Sequence, residues 1–356
     1  MNWASLNLDW AIIGGFLSGA VAGAGAQYGR LCTMGAIERA LIGRDFRSAK
    51  AWGLSIAIAT LATQIGSYLG LVDLTSSLYL KRDLHLLGTL LGGFLFGLGM
   101  SLAGTCSFGL VVRAGTGDLR AALTAIIVGI SAFAVTSGIA APVREWLLQY
   151  GVVQTAPTLT AHFSRLAGSS GAVILPGIAM LLVLAITLDR KLRARPRLLL
   201  GSSALGLAVA LGWLTTSRAV DAMALDRPES LSFVAPVGRA LLQIMVEPFR
   251  NVGFGVTALV GVGLASFAVA KWRREIRWEA FDDATEMRRH LIGAVLMGIG
   301  GVLGQGCTIG QGLSAASTLA LSAPLFIVAV IVGARVGLWH LIEGRWLWTH
   351  PARVMR

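Results

Sequence analysis

The segment GGVLGQGCTIGQGLS occupies residues 300–314 and lies between two apolar runs of the sequence. It contains six glycines and one of the three cysteines of the chain. Lipid offers no partners to backbone N–H and C=O groups, so irregular backbone at membrane depth is tolerated only where protein or a water-filled cavity surrounds it. The segment therefore predicts a helix break that lines a site inside a membrane protein.

The overall composition is that of an integral membrane protein. Of the 356 residues, 55% are hydrophobic and 13% are charged, and the mean hydropathy is +0.72. Soluble domains carry about 25% charged residues. We therefore predict an all-α polytopic membrane protein. Nine apolar stretches are long enough to cross a bilayer as helices; they lie at 10–26, 51–70, 86–104, 119–141, 171–188, 198–216, 253–271, 290–305 and 319–341.

The net charge of +12 is distributed unevenly along the chain. A positive-inside bias explains it better than nucleic-acid binding, because no interleaving of aromatic and basic residues supports the latter. Alternate connections collect 22 of the 30 basic residues, and the other connections hold eight. This asymmetry predicts an external N-terminus and a cytoplasmic C-terminus. The basic-rich connections are 27–50, the turn with Arg113 and Arg120, 189–197, 271–289 and the C-terminal region.

The first residues, MNWASLNLDWAIIGG, lack a basic region and a cleavage site, so we expect no removable signal peptide.

The two halves of the sequence resemble each other. A shift of 201 residues places GGFLFGLGMSLAGTCSFG (92–109) on GAVLMGIGGVLGQGCTIG (293–310), with four glycines and a cysteine in register. An odd number of spans separates the corresponding helices, which predicts an inverted-topology repeat of the kind many transporters have. The predicted divisions of the single membrane domain are a first repeat (1–141), a linker with span five (142–197), a second repeat (198–341) and a cytoplasmic tail (342–356).

Four short segments follow a span without a full crossing of their own. They are predicted to be re-entrant, two entering from the cytoplasm and two from outside, so that their tips meet near the midplane in an hourglass. The segments are 28–43, 105–118, 232–247 and 306–318.

All three cysteines, Cys32, Cys106 and Cys307, fall in these breaks. A free cysteine is often only a small buried hydrophobe, but three of three in glycine-rich breaks favours thiols that line a pathway. Thiols are weak hydrogen-bond donors and soft partners for sulfur. No histidine stands beside a cysteine, so we expect no metal and no cofactor, although Cu(I) held by thiolates alone remains an alternative.

Polar residues beside the cysteines form a second group of candidates. The hydroxyls of Thr33, Ser107 and Thr308 each follow a cysteine and are expected to cap short helices rather than to contact substrate. Gln305 and Gln311 flank Cys307 and either offer neutral donors or join the break to neighbouring helices. The remaining candidates are Gly310, which belongs to the repeated string, and Arg113, which either sets topology or draws anions inward.

Three strings resemble those of the YeeE/YedE family of sulfur-transport membrane proteins: CTMGAI (32–37), VVRAGTGDLRAAL (111–123) and GGVLGQGCTIGQGLS (300–314). The resemblance implies uptake of thiosulfate, or of a related sulfur or selenium compound, across the bacterial inner membrane. It also implies an hourglass of inverted repeats and assigns Cys32, Cys106 and Cys307 as the thiols that contact substrate. The implied partners are a small inorganic sulfur anion, membrane lipid and a small cytoplasmic sulfur-carrier protein, without nucleic acid. The chain departs from the family at Thr105, where many members have glycine before the cysteine.

Two other classes of protein compete with a transporter. A membrane sulfurtransferase would take the terminal sulfur of its substrate onto a cysteine as a persulfide, and a helix N-terminus can lower a thiol pKa for that purpose. No paired base stands beside any cysteine in the sequence, which favours transport. A purely structural membrane protein gives no reason for thiols in repeated breaks, and the absence of a phosphate-binding loop disfavours ATP-driven transport by this chain alone.

Overall fold

Helices account for most of the chain that the structure describes. A computed structural model describes residues 3–74, 76–80, 83–154, 156, 158–161, 177–178, 180–182, 185–186, 189–221, 225, 227–245 and 252–343. The helices are α1 (Trp3–Gly29), α2 (Thr33–Leu41), α3 (Arg47–Tyr68), α4 (Leu86–Leu102), α5 (Ser107–Gly115), α6 (Leu119–Thr136), α7 (Ala141–Gln149), α8 (Arg190–Arg193), α9 (Pro196–Asp221), α10 (Ala235–Met245), α11 (Phe254–Trp272), α12 (Ala284–Leu303) and α13 (Ser322–Glu343). Smaller elements are a 3₁₀ turn (Leu78–Leu80), a π-helical segment (Gly310–Ala315) and two antiparallel strands, β1 (Asp83–His85) and β2 (Val152–Gln154).

Six helical stretches of the described chain are long and apolar enough to cross a membrane. This confirms the prediction of a polytopic α-helical membrane protein. The six stretches are Trp10–Leu41, Leu86–Gly115, Leu119–Thr136, Pro196–Val220, Phe254–Trp272 and Ser322–Ile342.

Three of the nine predicted spans are not among these six. Two of them, 51–70 and 290–305, fall in α3 and α12, and the third, 171–188, lies largely outside the described residues. Helix α3 carries polar side chains that bond inside the protein. The Ser55 hydroxyl donates to the Ser202 carbonyl at 2.9 Å, and Gln64 Nε2 donates to the Ser317 carbonyl at 3.0 Å. The polar side chains of α3 thus face other segments of the bundle, where they find hydrogen-bond partners.

The basic connections meet at one end of the bundle, which we call the basic end. Arg30 forms an ion pair with Glu275 at 2.8 Å, and Lys50 forms one with Asp189. The Leu119 amide donates to the Glu279 carbonyl at 2.9 Å. Segments 28–50, 113–120, 189–197 and 271–289 are thus neighbours in space. The opposite end holds the β1–β2 pair.

Glycines allow the central helices to approach one another closely. α4 packs against α12 and α13, and α1 packs against α9 and α11. A β-carbon on Gly99 would lie 2.5 Å from the carbonyl oxygen of Gly293, and one on Gly293 would lie 2.6 Å from the carbonyl oxygen of Gly99. Because the backbone of each helix packs directly against the glycine of the other, neither position has room for a side chain.

We expect Gly293→Ala to lower the unfolding temperature of the detergent-purified protein. Overpacking of this kind costs about 1–3 kcal/mol, because backbone must move to admit the methyl group. Gly263→Ala on α11 is the matched control, since no atom lies within 4 Å of its β-carbon position. Alanine favours helix over glycine by about 1 kcal/mol, so the control is expected to unfold at the same or a higher temperature. Equal destabilisation by both substitutions would contradict the close approach at Gly293.

Candidate functional site

The three helix breaks that carry cysteines share one local geometry. Arg30, Gly104 and Gln305 each stand two residues before a cysteine, and their φ angles are 50°, 67° and 57°. A residue in the left-handed region commonly ends a helix, because it turns the chain away from the helix axis. Non-glycine residues rarely adopt this region. Each break therefore consists of a left-handed residue, one connecting residue and a cysteine.

Each cysteine thiol accepts a hydrogen bond from a backbone N–H three residues later. The Gly35 amide donates to Cys32 Sγ at 3.5 Å, the Gly109 amide to Cys106 Sγ at 3.4 Å, and the Gly310 amide to Cys307 Sγ at 3.4 Å. The last of these bonds gives Gly310 a direct link to the candidate thiol.

The prediction that the following hydroxyls cap the helices is wrong. Cys32 and Cys106 have extended backbone and are themselves the N-cap residues of α2 and α5. Thr33 and Ser107 are already inside these helices, where a side chain no longer reaches the free amides of the first turn. Thr308 likewise follows the residue whose sulfur accepts the amide bond.

Two of these three hydroxyls, those of Thr33 and Thr308, instead help to join the breaks to one another. The Thr33 hydroxyl lies 3.6 Å from Cys106 Sγ and 3.4 Å from Thr308 Oγ1. Cys32 Sγ lies 3.7 Å from Thr105 Oγ1. We call these five residues the thiol–hydroxyl cluster. Because Thr33 has a single hydroxyl proton, it donates to only one partner at a time, and Thr308 links the cluster to the adjacent Cys307.

Burial differs among the candidate groups. Cys106 and Cys307 are 1% and 0% exposed, whereas Cys32 is only partly buried. The Ser107 hydroxyl is buried and has no hydrogen-bond partner among the described residues. A buried polar group without a partner costs free energy, so the Ser107 hydroxyl is an unsatisfied donor at this break.

The two glutamines have different positions. Gln311 Nε2 donates to the Gly304 carbonyl at 2.9 Å, and its Oε1 accepts from the Ser322 hydroxyl at 3.2 Å. This confirms that Gln311 joins the break to a neighbouring helix. Gln305 lines a cavity of about 520 Å³ at the end of the bundle opposite the basic end, which we call the outer cavity. Other residues that line the outer cavity are Tyr79, Arg227, Glu229, Arg239 and Gly306.

Sequence reasoning missed several residues beside Cys307. The position of a β-carbon on Gly310 lies 2.9 Å from Ser232 Oγ and 3.3 Å from the Tyr79 hydroxyl. Tyr79 comes from the 3₁₀ turn and stacks edge-on against Trp213 with 6.3 Å between ring centroids. Its sequence context gives no signal of this position, because the loop that contains it has no motif. Arg113 is exposed at the last turn of α5, and no contact with the thiol–hydroxyl cluster is seen.

Helices that break at three cysteines, with thiols and hydroxyls gathered at the breaks, define a multi-pass membrane protein with an internal polar site. Sequence comparison gives the family. The profile of a family described as "Sulphur transport" matches residues 28–336, which is most of the chain. This protein belongs to that family, and the resemblance inferred from the three strings is confirmed.

Named relatives point in the same direction. The chain is similar to the thiosulfate transporter TsuA of Escherichia coli strain K12, with 26% identity over 351 residues that cover 92% of this chain and 94% of the relative. It is also similar to the thiosulfate transporter TsuA of Spirochaeta thermophila, with 26% identity over 343 residues that cover 92% of this chain and 98% of the relative.

We expect the three thiols to react at different rates with a small water-soluble methanethiosulfonate. Three variants that each keep one cysteine and carry alanine at the other two isolate the individual rates. The variant that keeps Cys32 should be modified fastest, because Cys32 is the only one of the three that is partly exposed. Mass spectrometry of the intact purified protein measures the rate. Faster modification of Cys307 would contradict the burial described above.

Proposed function

We propose that this protein takes up thiosulfate across the bacterial inner membrane along a path on which Cys307, Cys106 and Cys32 contact the substrate in turn. The observation that carries the proposal is the thiol–hydroxyl cluster, because it links three breaks that are far apart in sequence through contacts of 3.4–3.7 Å. Membership of the Sulphur transport family and the printed function of the two relatives support the same substrate.

An inverted repeat supports a central path. The 201-residue shift found in the sequence also brings helix bounds into correspondence: α2 with α10, α3 with α11, α4 with α12, α5 with the π-helical segment, and α6 with α13. The helix α1 corresponds in the same way to α9, and the packing agrees: α1 contacts α11, and α9 contacts α3. A pseudo-twofold relation of this kind supports a position of the breaks of both halves near the midplane, where transporters bind substrate.

The thiols suit the chemistry of thiosulfate. Each Sγ accepts a backbone N–H, which leaves its own S–H proton free to donate to the soft terminal sulfur of the anion. The Ser107 hydroxyl and the threonine hydroxyls of the cluster offer further donors to the sulfonate oxygens. Weak contacts of this kind replace water one at a time without a deep free-energy minimum, as conduction requires.

The outer cavity supplies the entrance. By the positive-inside rule it faces outward, because it lies opposite the basic end. Arg227 and Arg239 are exposed on its wall and attract anions, and Gly306 connects the cavity to Cys307. The same rule places the N-terminus outside and the C-terminus in the cytoplasm.

Inward movement of a dianion requires a driving force. The membrane potential opposes it by about 2.3 kcal/mol per charge per 100 mV. A cytoplasmic sulfur-carrier protein that consumes thiosulfate would provide a sink on the inner side, and membrane lipid surrounds the helices.

The geometry favours transport over the alternatives. The observed partners of the three thiols are threonine hydroxyls and glycine amides. A sulfurtransferase needs a base beside its thiol.

Substitution of Cys106 separates a thiol function from a capping function. Cys106→Ala removes both, and loss of a cap costs about 1 kcal/mol of stability. Cys106→Ser restores a cap of similar size but has no soft sulfur. If the thiol contacts thiosulfate, both variants should lose uptake roughly tenfold, the effect of about 1.4 kcal/mol on the barrier, although Cys106→Ser folds as well as the wild type. Wild-type uptake by Cys106→Ser would mean that the thiol is only a cap.

Thiosulfate labelled separately at each sulfur distinguishes transport from sulfur transfer. Proteoliposomes that contain only this protein should accumulate both labels at the same rate, because transport breaks no bond in the substrate. Entry of the outer sulfur alone, with a persulfide on a cysteine detected by mass spectrometry, would replace the proposal with a sulfurtransferase.

A further inference from the structure

A second charged cavity lies at the basic end of the bundle. Its volume is about 560 Å³, and none of the residues that line it is acidic. We call it the arginine pocket. Its polar and aromatic wall consists chiefly of Tyr28, Arg30, Arg39, Arg195, Arg197 and Arg273.

Two of the five arginines are engaged in holding the pocket together. The Glu275 carboxylate accepts from Arg30 at 2.8 Å and from Arg273 at 3.1 Å. Arg273 also donates to the Tyr28 carbonyl at 3.2 Å and covers the Tyr28 ring. Burial by itself raises the pKa of Glu275, but the hydrogen bond from Arg30 and the charges of Arg273 and Arg30 outweigh it, so the net pKa is lowered. Glu275 therefore remains ionised and occupies these two guanidinium groups.

The other three arginines are not neutralised in this way. In the described part of the chain, no carboxylate lies within ion-pair distance of Arg39, Arg195 or Arg197. The acidic side chain that Arg195 influences, Asp45, is bound by Arg47 at 2.9 Å, and that hydrogen bond is the chief reason that its pKa is lowered to about 2.

Backbone adds to the positive potential on this side. The amides of Leu198 and Leu199 fold back onto the Arg195 carbonyl, at 3.0 and 3.3 Å, where α9 begins. Arg195 and Arg197 therefore stand at the N-terminus of a 26-residue helix, the positive end of its dipole.

The pocket also lies next to the first thiol of the chain. The position of a β-carbon on Gly35 is 3.4 Å from Arg39 Nη2 and 3.7 Å from Cys32 Cβ. An anion bound by Arg39 would consequently stand in front of the Cys32 break. Guanidinium groups bind tetrahedral oxyanions with paired, charge-assisted hydrogen bonds.

We propose that the arginine pocket binds a tetrahedral oxyanion from the cytoplasmic side and that its occupation slows further uptake of substrate. The effect on uptake rests on the proposed function, whereas the binding does not. Sulfate is the simplest such ligand, since it has the oxygens that guanidinium groups recognise but lacks the soft sulfur that the thiols recognise. A lipid phosphate headgroup offers the same chemistry from a second source.

Equilibrium dialysis of the purified full-length protein against radiolabelled sulfate tests the binding. The paired variant Arg195→Gln with Arg197→Gln should bind roughly tenfold more weakly, because each lost charge pair contributes modestly. The control variant Arg288→Gln with Arg289→Gln also removes two positive charges from the basic end, but neither residue lines the pocket. It should bind sulfate as the wild type does. A variant with alanine at all three cysteines should also bind sulfate. Equal affinity in the two paired arginine variants would overturn the proposal.

Uptake into proteoliposomes tests the regulation. For each protein, the rate of thiosulfate entry with sulfate trapped inside is divided by the rate with chloride at equal ionic strength. For the wild type and for the Arg288/Arg289 control, internal sulfate should slow thiosulfate entry several-fold, so the ratio is well below one. For the Arg195/Arg197 variant, sulfate should have no effect, so the ratio is one. A ratio of one for the wild type would overturn the regulatory role.

Lipid composition identifies the source of the oxyanion. Vesicles of phosphatidylcholine alone are compared with vesicles that also contain phosphatidylglycerol. Sulfate inhibition in both supports a ligand from solution. Inhibition that disappears with phosphatidylglycerol, together with retention of that lipid by the wild type but not by the Arg195/Arg197 pair, supports a bound headgroup. Absence of thiosulfate entry under every condition would refute the proposed function, while the dialysis result would stand.

Discussion

A helix that stops inside a bilayer leaves backbone N–H groups without partners, and the rest of this structure depends on how those groups are satisfied. The three breaks use cysteine sulfur as the acceptor, at 3.4–3.5 Å. Serine, threonine, aspartate and asparagine are the preferred caps, and sulfur is a weak acceptor. Residues of a preferred capping type, Thr33, Ser107 and Thr308, stand one residue further on at all three breaks. The chain therefore has weaker caps at Cys32, Cys106 and Cys307, and the proposed contact of the thiols with substrate would explain why cysteine stands there.

The segment of the second half that corresponds to the Cys32 break has no thiol. The 201-residue shift places Phe233 where the first half has Cys32. Phe233 is fully buried and packs on Phe108 with 4.8 Å between ring centroids. An aromatic pair closes this position with apolar surface. The path we propose is accordingly asymmetric: it has a thiol at this position in the first half and none in the second. The surrounding helices of the two halves nevertheless correspond to each other.

The sequence allowed the breaks and their cysteines to be predicted, because glycine-rich strings in an apolar context and a repeated register are local signals. Contacts between breaks were beyond prediction. Thr105 reaches Cys32 and Tyr79 reaches Gly310 only through the packing of helices that are distant in the chain. The roles of Thr33 and Ser107 were misjudged for a different reason. A one-residue change in where a helix begins decides whether a side chain caps it, and sequence patterns do not resolve boundaries that finely.

The distribution of charge fits the proposed path. Arginines stand at both ends, with Arg227 and Arg239 at the outer cavity and Arg39 near Cys32, while the thiol–hydroxyl cluster is uncharged. A guanidinium 4 Å from a unit charge contributes about 4 kcal/mol at an effective dielectric constant of about 20. A dianion held by one such group in the cluster would be stabilised by about 8 kcal/mol, which slows its release roughly a million-fold. Exposed arginines attract the same anion through water, where screening keeps the attraction small enough to be reversed. On the proposed path, positive charge at the ends and neutral sulfur in the middle thus satisfy two opposite demands: the anion is collected from dilute solution, and it is not retained in the cluster.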